Sequence, residues 1–147
     1  MANIANYSTK VKARKTASEI QEILAEAGAR SVSVEYGDRK EPVAIVFTGV
    51  LGDTHIPYRL PANPQGMLEA LRRDSGVPPR YCNPEQAERV SWRTIKEWVR
   101  MQINLIEAGQ VTLQQAFLPY ALTPDGRTLY QIFVQNRHQL ITAEREV

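Results

Sequence analysis

The sequence predicts an α+β fold in which a three-stranded antiparallel meander packs against one long amphipathic helix and several shorter helices. Two patterns indicate this fold. Residues 32–60 contain β-branched and alternating runs separated by short turn sequences. Residues 84–108 instead repeat apolar side chains at helical spacing. With 147 residues, 43% of them hydrophobic, the chain can form one core, so we expect a single domain over 1–147.

The first predicted helix spans about 17–27, because its apolar residues recur at helical spacing and Gly28 follows as a C-terminal stop. Thr16 and Glu19 have the spacing of a capping box at its start. The residues before it carry four cations and no acid: Lys10, Lys12, Arg14 and Lys15. We therefore expect a basic N-terminal arm at about 1–15, which is either solvated or contacts phosphate.

Three strands follow in sequence. Residues 32–36 alternate, residues 43–50 form a β-branched apolar run, and Thr54–Leu60 closes the meander. Pro57 cannot donate to a ladder, so the third strand should lie at an edge or carry a bulge. A period of two places Ile56, Tyr58 and Leu60 on one face and His55, Pro57 and Arg59 on the other.

Two Asn-Pro pairs predict helix starts, because Asn caps a helix and Pro is tolerated at its first position. The shorter helix runs from Asn63-Pro64 to about Ser75, and the longer one runs from Pro84 to about Ala108. Further on, Thr112 can cap a short helix that Pro119 interrupts. A last amphipathic helix contains Leu129, Ile132 and Phe133, and a short tail follows at about 141–147.

The long helix is predicted to have two faces. At 100° per residue its apolar residues fall on one arc and four cations fall on a narrow opposite stripe. The arc consists of Val90, Thr94, Ile95, Trp98, Val99, Met101, Leu105 and Ile106. The basic stripe consists of Arg89, Arg93, Lys96 and Arg100. The stripe is either a solvated surface or an anion-binding surface that phosphates could bridge. Trp92, at its border, is either a packing residue or a platform for base stacking.

A second candidate group combines arginine and tyrosine near the third strand and the short helix. It consists of Tyr58, Arg59, Arg72, Arg73, Arg80 and Tyr81. A guanidinium can bind phosphate through two hydrogen bonds, and a phenol can stack on a base while donating a hydrogen bond. Arg59, Arg80 and Tyr81 are therefore candidate ligand contacts, and spacing alone leaves open whether they meet the basic stripe.

Catalytic and metal-binding chemistry has little support in the sequence. Cys82 is the single cysteine, and the two histidines, His55 and His138, lack ligand partners at metal-binding spacing, so we expect no metal and no cofactor. The motifs of dinucleotide, triphosphate, acyl-transfer and metalloprotease sites are missing. The enzymatic alternative is a small metal-independent phosphodiesterase in which His55 acts beside Arg59 as a general acid or base.

The chain contains neither a signal-peptide pattern nor an apolar run long enough to span a bilayer, which favours a cytoplasmic location without a membrane partner. The formal net charge of +2 is too small to identify a nucleic-acid binder.

Several stretches resemble an uncharacterised family of small phage and mobile-element proteins. They are residues 87–122 (AERVSWRTIKEWVRMQINLIEAGQVTLQQAFLPYAL), GRTLYQIF at 126–133, HIPYRLP at 55–61 and the N-terminal ANYSTKVKARKTASEIQEILAEAGA. The resemblance implies a mobile-element origin and a bacterial host, and it carries no functional residue.

Together these patterns lead to three functional hypotheses. The first is a homo-oligomer that binds and sequesters a phosphate-bearing nucleotide without catalysis, with a bacterial immune signal as a ligand of the expected kind. The second is a single-stranded nucleic-acid-binding accessory protein that uses the arm and the basic stripe. The third is the phosphodiesterase centred on His55.

Overall fold

The computed structural model describes residues 2–141 and has the predicted α+β architecture. Its helices and strands follow in the order α1 (Ala13–Glu26), β1 (Ser31–Tyr36), β2 (Pro42–Leu51), β3 (Thr54–Pro61), α2 (Pro64–Arg73), α3 (Pro84–Glu107), α4 (Leu113–Phe117) and α5 (Leu129–Leu140). Short 3₁₀ turns lie at Pro79–Tyr81 and Leu118–Tyr120. Apart from Ile141, the predicted C-terminal tail lies outside the described residues.

The sheet is the predicted antiparallel meander, in the order β1-β2-β3. Pro57 lies on the edge strand β3, where its missing N–H leaves no gap in the ladder with β2. The chain after α4 partly covers the outer side of this edge, because the Leu122 N–H donates to the Pro57 carbonyl at 2.8 Å. Tyr58 and Leu60 point into the core as their alternation predicts, since both are about 1% exposed.

The main core lies where the sheet meets α1, α3 and α4. Phe47 stacks on Tyr58 with ring centroids 5.1 Å apart, and Phe117 meets the edge of Phe47 at 5.2 Å. A second core cluster lies between α2 and α3, where Leu71 and Val90 are fully buried. The long helix therefore packs against different partners along its length.

The buried residues of α3 do not form the single arc that was predicted, because those near its start (Ala87 and Val90) and those of its C-terminal half (Val99 and Ile103) lie on nearly opposite sides of the helix. Val99 is buried as expected, but Trp92 is also fully buried and its Nε1–H donates to the Pro42 carbonyl at 3.2 Å. Met101 is 62% and Leu105 43% exposed, although both were assigned to the core. The predicted arc is confirmed for Val90 and Val99, which are buried, and for Ile95, Trp98 and Ile106, which pack against the main core. It is wrong for Thr94, Met101 and Leu105, because residues were ranked by hydrophobicity, whereas the contacts with α1 and α2 decide which side is covered.

The start of α1 also corrects the prediction. The helix begins at Ala13, about one turn earlier than expected, and Thr16 lies buried within it instead of capping it. Glu19 consequently has no capping role and turns its carboxylate towards α3. Asn63 and Asn83 do cap α2 and α3 as predicted, with side chains that accept hydrogen bonds from Gly66 and Gln86 N–H groups.

Residues 2–12, here called the N-terminal segment, are docked on the helices and do not form the predicted solvated arm. The Asp74 carboxylate accepts hydrogen bonds from the N–H groups of Asn3 at 2.7 Å and Ile4 at 3.0 Å. Ile4 and Tyr7 pack against the second core cluster. Several of its side chains remain exposed, among them those of Lys10 and Lys12.

Among the described residues, none of the helices combines the length and the apolar character required to cross a bilayer.

Candidate functional site

A groove of about 690 Å³ separates the N-terminal segment from α3, and we call it the basic groove. One wall comes from the N-terminal segment and the other from consecutive turns of α3. Its lining residues are Asn6, Thr9, Val11, Arg93, Lys96, Glu97, Arg100 and Met101. Three of the four residues of the predicted basic stripe therefore face one cavity, which is of the size usual for small-molecule sites.

Gln86 fixes the wall that the N-terminal segment provides. Its side chain is buried, and its Nε2 group donates to the carbonyl of Tyr7 at 2.7 Å and to that of Thr9 at 2.9 Å. Asn6 adopts a left-handed backbone conformation (φ 63°), which asparagine tolerates better than most residues, and donates to Glu97 Oε1 at 2.7 Å. Side-chain hydrogen bonds from Gln86 and Asn6 thus join the N-terminal segment to α3.

Glu19 on α1 holds two cations of the groove in place. Its Oε2 atom accepts a hydrogen bond from Arg93 Nη1 at 2.7 Å and another from Lys96 Nζ. The Glu19 side chain is 24% exposed, so the pair is only partly screened by solvent. The hydrogen bond from Lys96, followed by that from Arg93, lowers the pKa of Glu19 although burial acts in the opposite direction.

The cations keep hydrogen-bonding capacity for a ligand. A guanidinium carries five N–H donors and an ammonium three, and Glu19 occupies one on each residue. Arg100 is exposed, and its guanidinium has no ion pair within residues 2–141. Counting Glu19 and Glu97, the groove has three cations against two carboxylates, so its field favours an anion.

Arg89 is separate from the other residues of the basic stripe. Its Nη1 donates to Gln86 Oε1 at 3.1 Å, and its side chain lines a different recess of about 300 Å³ beside the start of α1. That recess also contains Glu85 and Glu88. The stripe predicted from the sequence therefore divides between two cavities.

Trp92 cannot contact a ligand as a stacking platform, because its ring is fully buried in the main core. This excludes one of the two roles proposed for it from the sequence and leaves the packing role.

The predicted second group does not form a single site. Arg59 lies on the outer face of the sheet, where its Nε and Nη2 atoms donate to the Glu35 carboxylate at 3.2–3.3 Å. Arg80 instead lies over the Tyr81 ring at 4.7 Å, and Tyr81 packs edge-on against Tyr7 at 5.4 Å. Arg80 and Tyr81 thus adjoin the N-terminal segment without lining the basic groove.

His55 is exposed near the start of β3, opposite Val50 on β2, and it does not line the basic groove. Within residues 2–141 no group of three or more His, Cys, Asp or Glu side chains could hold a metal ion. Asp74 and Asp125 are engaged as structural acceptors. Desolvation raises the pKa of Asp74, but backbone hydrogen bonds outweigh it and lower that pKa overall. The hydrogen bond from the Thr123 hydroxyl lowers the pKa of Asp125.

Sequence reasoning missed the residues that complete the groove. Asn6 and Thr9 were counted only as part of a basic arm, and Met101 was assigned to the core. Glu19 was interpreted as a capping residue. Gln86 could have been recognised from the sequence by its position. It lies one turn after the Asn83-Pro84 helix start, on the side of α3 that packs against other parts of the chain.

Comparisons with protein-family models, with curated proteins and with solved structures find no match to this chain.

Proposed function

We propose that the protein binds a phosphate-bearing nucleotide in the basic groove and holds it without chemical change. The observation that carries this proposal is the convergence of Arg93, Lys96 and Arg100 on one cavity. They occupy positions i, i+3 and i+7 of α3, which separates them by about 4.5 and 6 Å along the helix axis. Neighbouring phosphates of one ligand can be contacted simultaneously at such distances.

The remaining lining residues suit the non-phosphate part of a nucleotide. Asn6 and Thr9 offer an amide and a hydroxyl that can hydrogen-bond a sugar or a base edge. Val11 and Met101 supply apolar surface, and a thioether adapts readily to a flat ring. A mixed lining of this kind is typical of sites that fix a ligand's orientation with few polar groups.

The chemistry of the lining supports retention without turnover. The carboxylate in the groove wall, Glu97, accepts a hydrogen bond from Asn6, and His55 lies on a different surface. The cations are arranged to neutralise phosphate charge rather than to activate water. Sequestration of a nucleotide signal is consistent with the resemblance to mobile-element proteins. That resemblance stays a prediction.

Single-stranded nucleic acid is the competing ligand. The exposed side chains of Lys10 and Lys12 extend the positive surface along the N-terminal segment. The burial of Trp92 removes the aromatic platform that such binders commonly use, so a mononucleotide or dinucleotide is favoured.

Native mass spectrometry tests the proposal directly, using cyclic dinucleotides, ADP-ribose derivatives and short oligonucleotides as the panel. We expect a nucleotide adduct, loss of most of that adduct in Arg100→Ala, and its retention in Arg72→Ala, which removes an exposed arginine of α2 that does not line the groove. Equal binding by both variants would place the ligand elsewhere.

The fate of the ligand separates sequestration from hydrolysis. Protein loaded with the bound nucleotide is denatured by heat, and the released material is analysed by chromatography. Unchanged nucleotide supports the proposal, whereas a cleaved product contradicts it and leads to a test of His55→Ala. Binding of oligonucleotides alone, with affinity that falls steeply as salt rises, would favour the nucleic-acid alternative.

A further inference from the structure

The strand β1 has one side without a neighbouring strand among the described residues, because the sheet order places it at an edge. Gln21 Nε2 on α1 donates to the Val32 carbonyl at 3.2 Å, which indicates that the Val32 backbone faces away from β2. Alternate residues of an antiparallel strand share this direction. The N–H and C=O groups of Val32 and Val34 therefore face the free edge.

This edge carries few of the features by which proteins usually prevent edge pairing, although its pairing with β2 shifts register between Glu35 and Tyr36. The six residues of β1, SVSVEY, include neither proline nor lysine. The opposite edge of the sheet is different, since β3 contains Pro57 and is contacted by Ala121 and Leu122. The edge at β3 is thus more strongly protected than the edge at β1, where Gln21 covers the Val32 carbonyl.

We propose that a second copy of this chain pairs antiparallel with β1, which joins two sheets into one of six strands. The two-fold axis passes through Ser33, so that each Ser33 faces its counterpart. Val32 of one copy and Val34 of the other then exchange both backbone hydrogen bonds, and this happens twice per dimer. Ser31 is opposite Glu35 on the outer face of the sheet.

The sequence of β1 is self-complementary in this register, but not in the registers shifted by one residue. Valines meet valines on the inner face, where Val32 and Val34 already pack against the main core. A shift by one residue would place the valines opposite Ser31 and Ser33, or opposite Ser33 and Glu35, and move apolar side chains to the solvent face. A second copy consequently fits the edge better than an unrelated strand.

A recess lies next to the free edge. A recess of about 350 Å³ between α1 and β1 is lined by Glu22 and Arg30, both exposed, together with the small residues Ala25 and Ala29. Gln21 releases the Val32 carbonyl on pairing, so one hydrogen bond replaces another.

Sedimentation velocity tests the dimer with two matched variants on the outer face of β1. Ser33→Lys places two like charges directly opposite each other, and we expect the dimer dissociation constant to rise at least about five-fold. Ser31→Lys adds the same charge two residues away but opposite Glu35, and it should leave the dimer intact. A wild-type monomer at about 100 μM, or a dimer that resists Ser33→Lys, would overturn the proposal.

Oxidative cross-linking gives a second measurement that does not depend on the stability of the lysine variants. In a Cys82→Ser background, Ser33→Cys places two thiols across the axis with Cα atoms about 4.5 Å apart, within disulfide range. Ser31→Cys places them about 14 Å apart. Cross-linking of the first variant only supports the proposal, and equal or absent cross-linking of the two contradicts it.

Discussion

Replacing Glu19 with glutamine separates the structural role of the basic groove from its ligand-binding role. The change removes one negative charge while keeping the size of the side chain. Arg93 and Lys96 lose their shared partner, so folding stability should decrease. The same two cations become more available to an anion, so the affinity for a phosphate-bearing ligand should increase. If Glu19 and the ligand share Arg93 and Lys96, the substitution should therefore lower folding stability and raise ligand affinity.

The magnitudes follow from the geometry. The Glu19 side chain is 24% exposed, which places its two ion pairs between surface and buried cases, at about 1–2 kcal/mol in total. A phosphate oxygen bound to Arg93 is separated from Glu19 Oε2 by two hydrogen bonds. The one between Arg93 and Glu19 is 2.7 Å long, and the one between Arg93 and the phosphate is expected to be about 2.8 Å long. Removing a charge about 5.5 Å away in an open groove changes binding by about 1 kcal/mol, or roughly five-fold.

Thermal unfolding and isothermal titration calorimetry with a nucleotide identified by the panel measure the two effects. We expect a melting temperature lower by about 2–8 °C and a dissociation constant lower by about five-fold. Glu26→Gln is the matched control, since it removes the same charge from an exposed position near the end of α1. If Glu19→Gln leaves binding unchanged or weakens it, Arg93 and Lys96 do not contact the ligand.

The pH dependence of the same variant provides an independent check. Because the pKa of Glu19 is lowered in the folded protein, its ion pairs stabilise the fold above the ordinary value of 4.5. That contribution is lost as pH falls through the lowered pKa. The difference in melting temperature between wild type and Glu19→Gln should therefore shrink as the pH falls below 4.5, and a constant difference would contradict the assignment.

Two further predictions concern the long helix and the segment docked on it. Val99→Asp buries a charge and should cost more than about 4 kcal/mol, whereas Met101→Asp changes an exposed position and should cost less than about 0.5 kcal/mol; equal melting temperatures would refute the observed helix phase. Gln86→Ala leaves the carbonyls of Tyr7 and Thr9 without their donor, so we expect a loss of about 1–3 kcal/mol and faster proteolysis of the N-terminal segment.

Local signals in the sequence were sufficient to predict most elements of the fold, although the start of α1 was placed about one turn too late. The caps Asn63 and Asn83 each combine with a following proline, and the structure starts a helix at both. Because Pro57 has no N–H group to donate to a neighbouring strand, we predicted that its strand lies at an edge, and β3 is an edge strand. Such features depend on neighbouring residues only, so they can be predicted without tertiary contacts.

The orientation of α3 could not be predicted because it depends on which elements cover the helix. Hydrophobicity assigned Met101 to the core, but the helix instead buries the polar residues Gln86 and Ser91. Gln86 is buried because its amide satisfies carbonyls of the N-terminal segment, a contact between residues 77 and 79 positions apart in the chain. A helical wheel contains no information about such a partner.

The candidate site likewise combines features that follow from local sequence with features that depend on distant contacts. Arg93, Lys96 and Arg100 belong to one helix, so their common direction follows from helical geometry, and three of four stripe residues do line one groove. The opposing wall comes from Asn6, which contacts Glu97 across 91 positions of sequence. Nothing local links these two residues, and the cavity itself was therefore not predictable.

Chemical-shift mapping with pyrophosphate tests the central claim most directly, because it reports where a compact phosphate ligand binds. On titration of the isotopically labelled protein, we expect shifts at the Asn6 and Thr9 amides and at the Arg93 and Arg100 guanidinium Nε–H groups, which line the basic groove. Shifts confined to the recess around Arg89, or no shifts at millimolar pyrophosphate, would contradict the assignment of the groove as the ligand site.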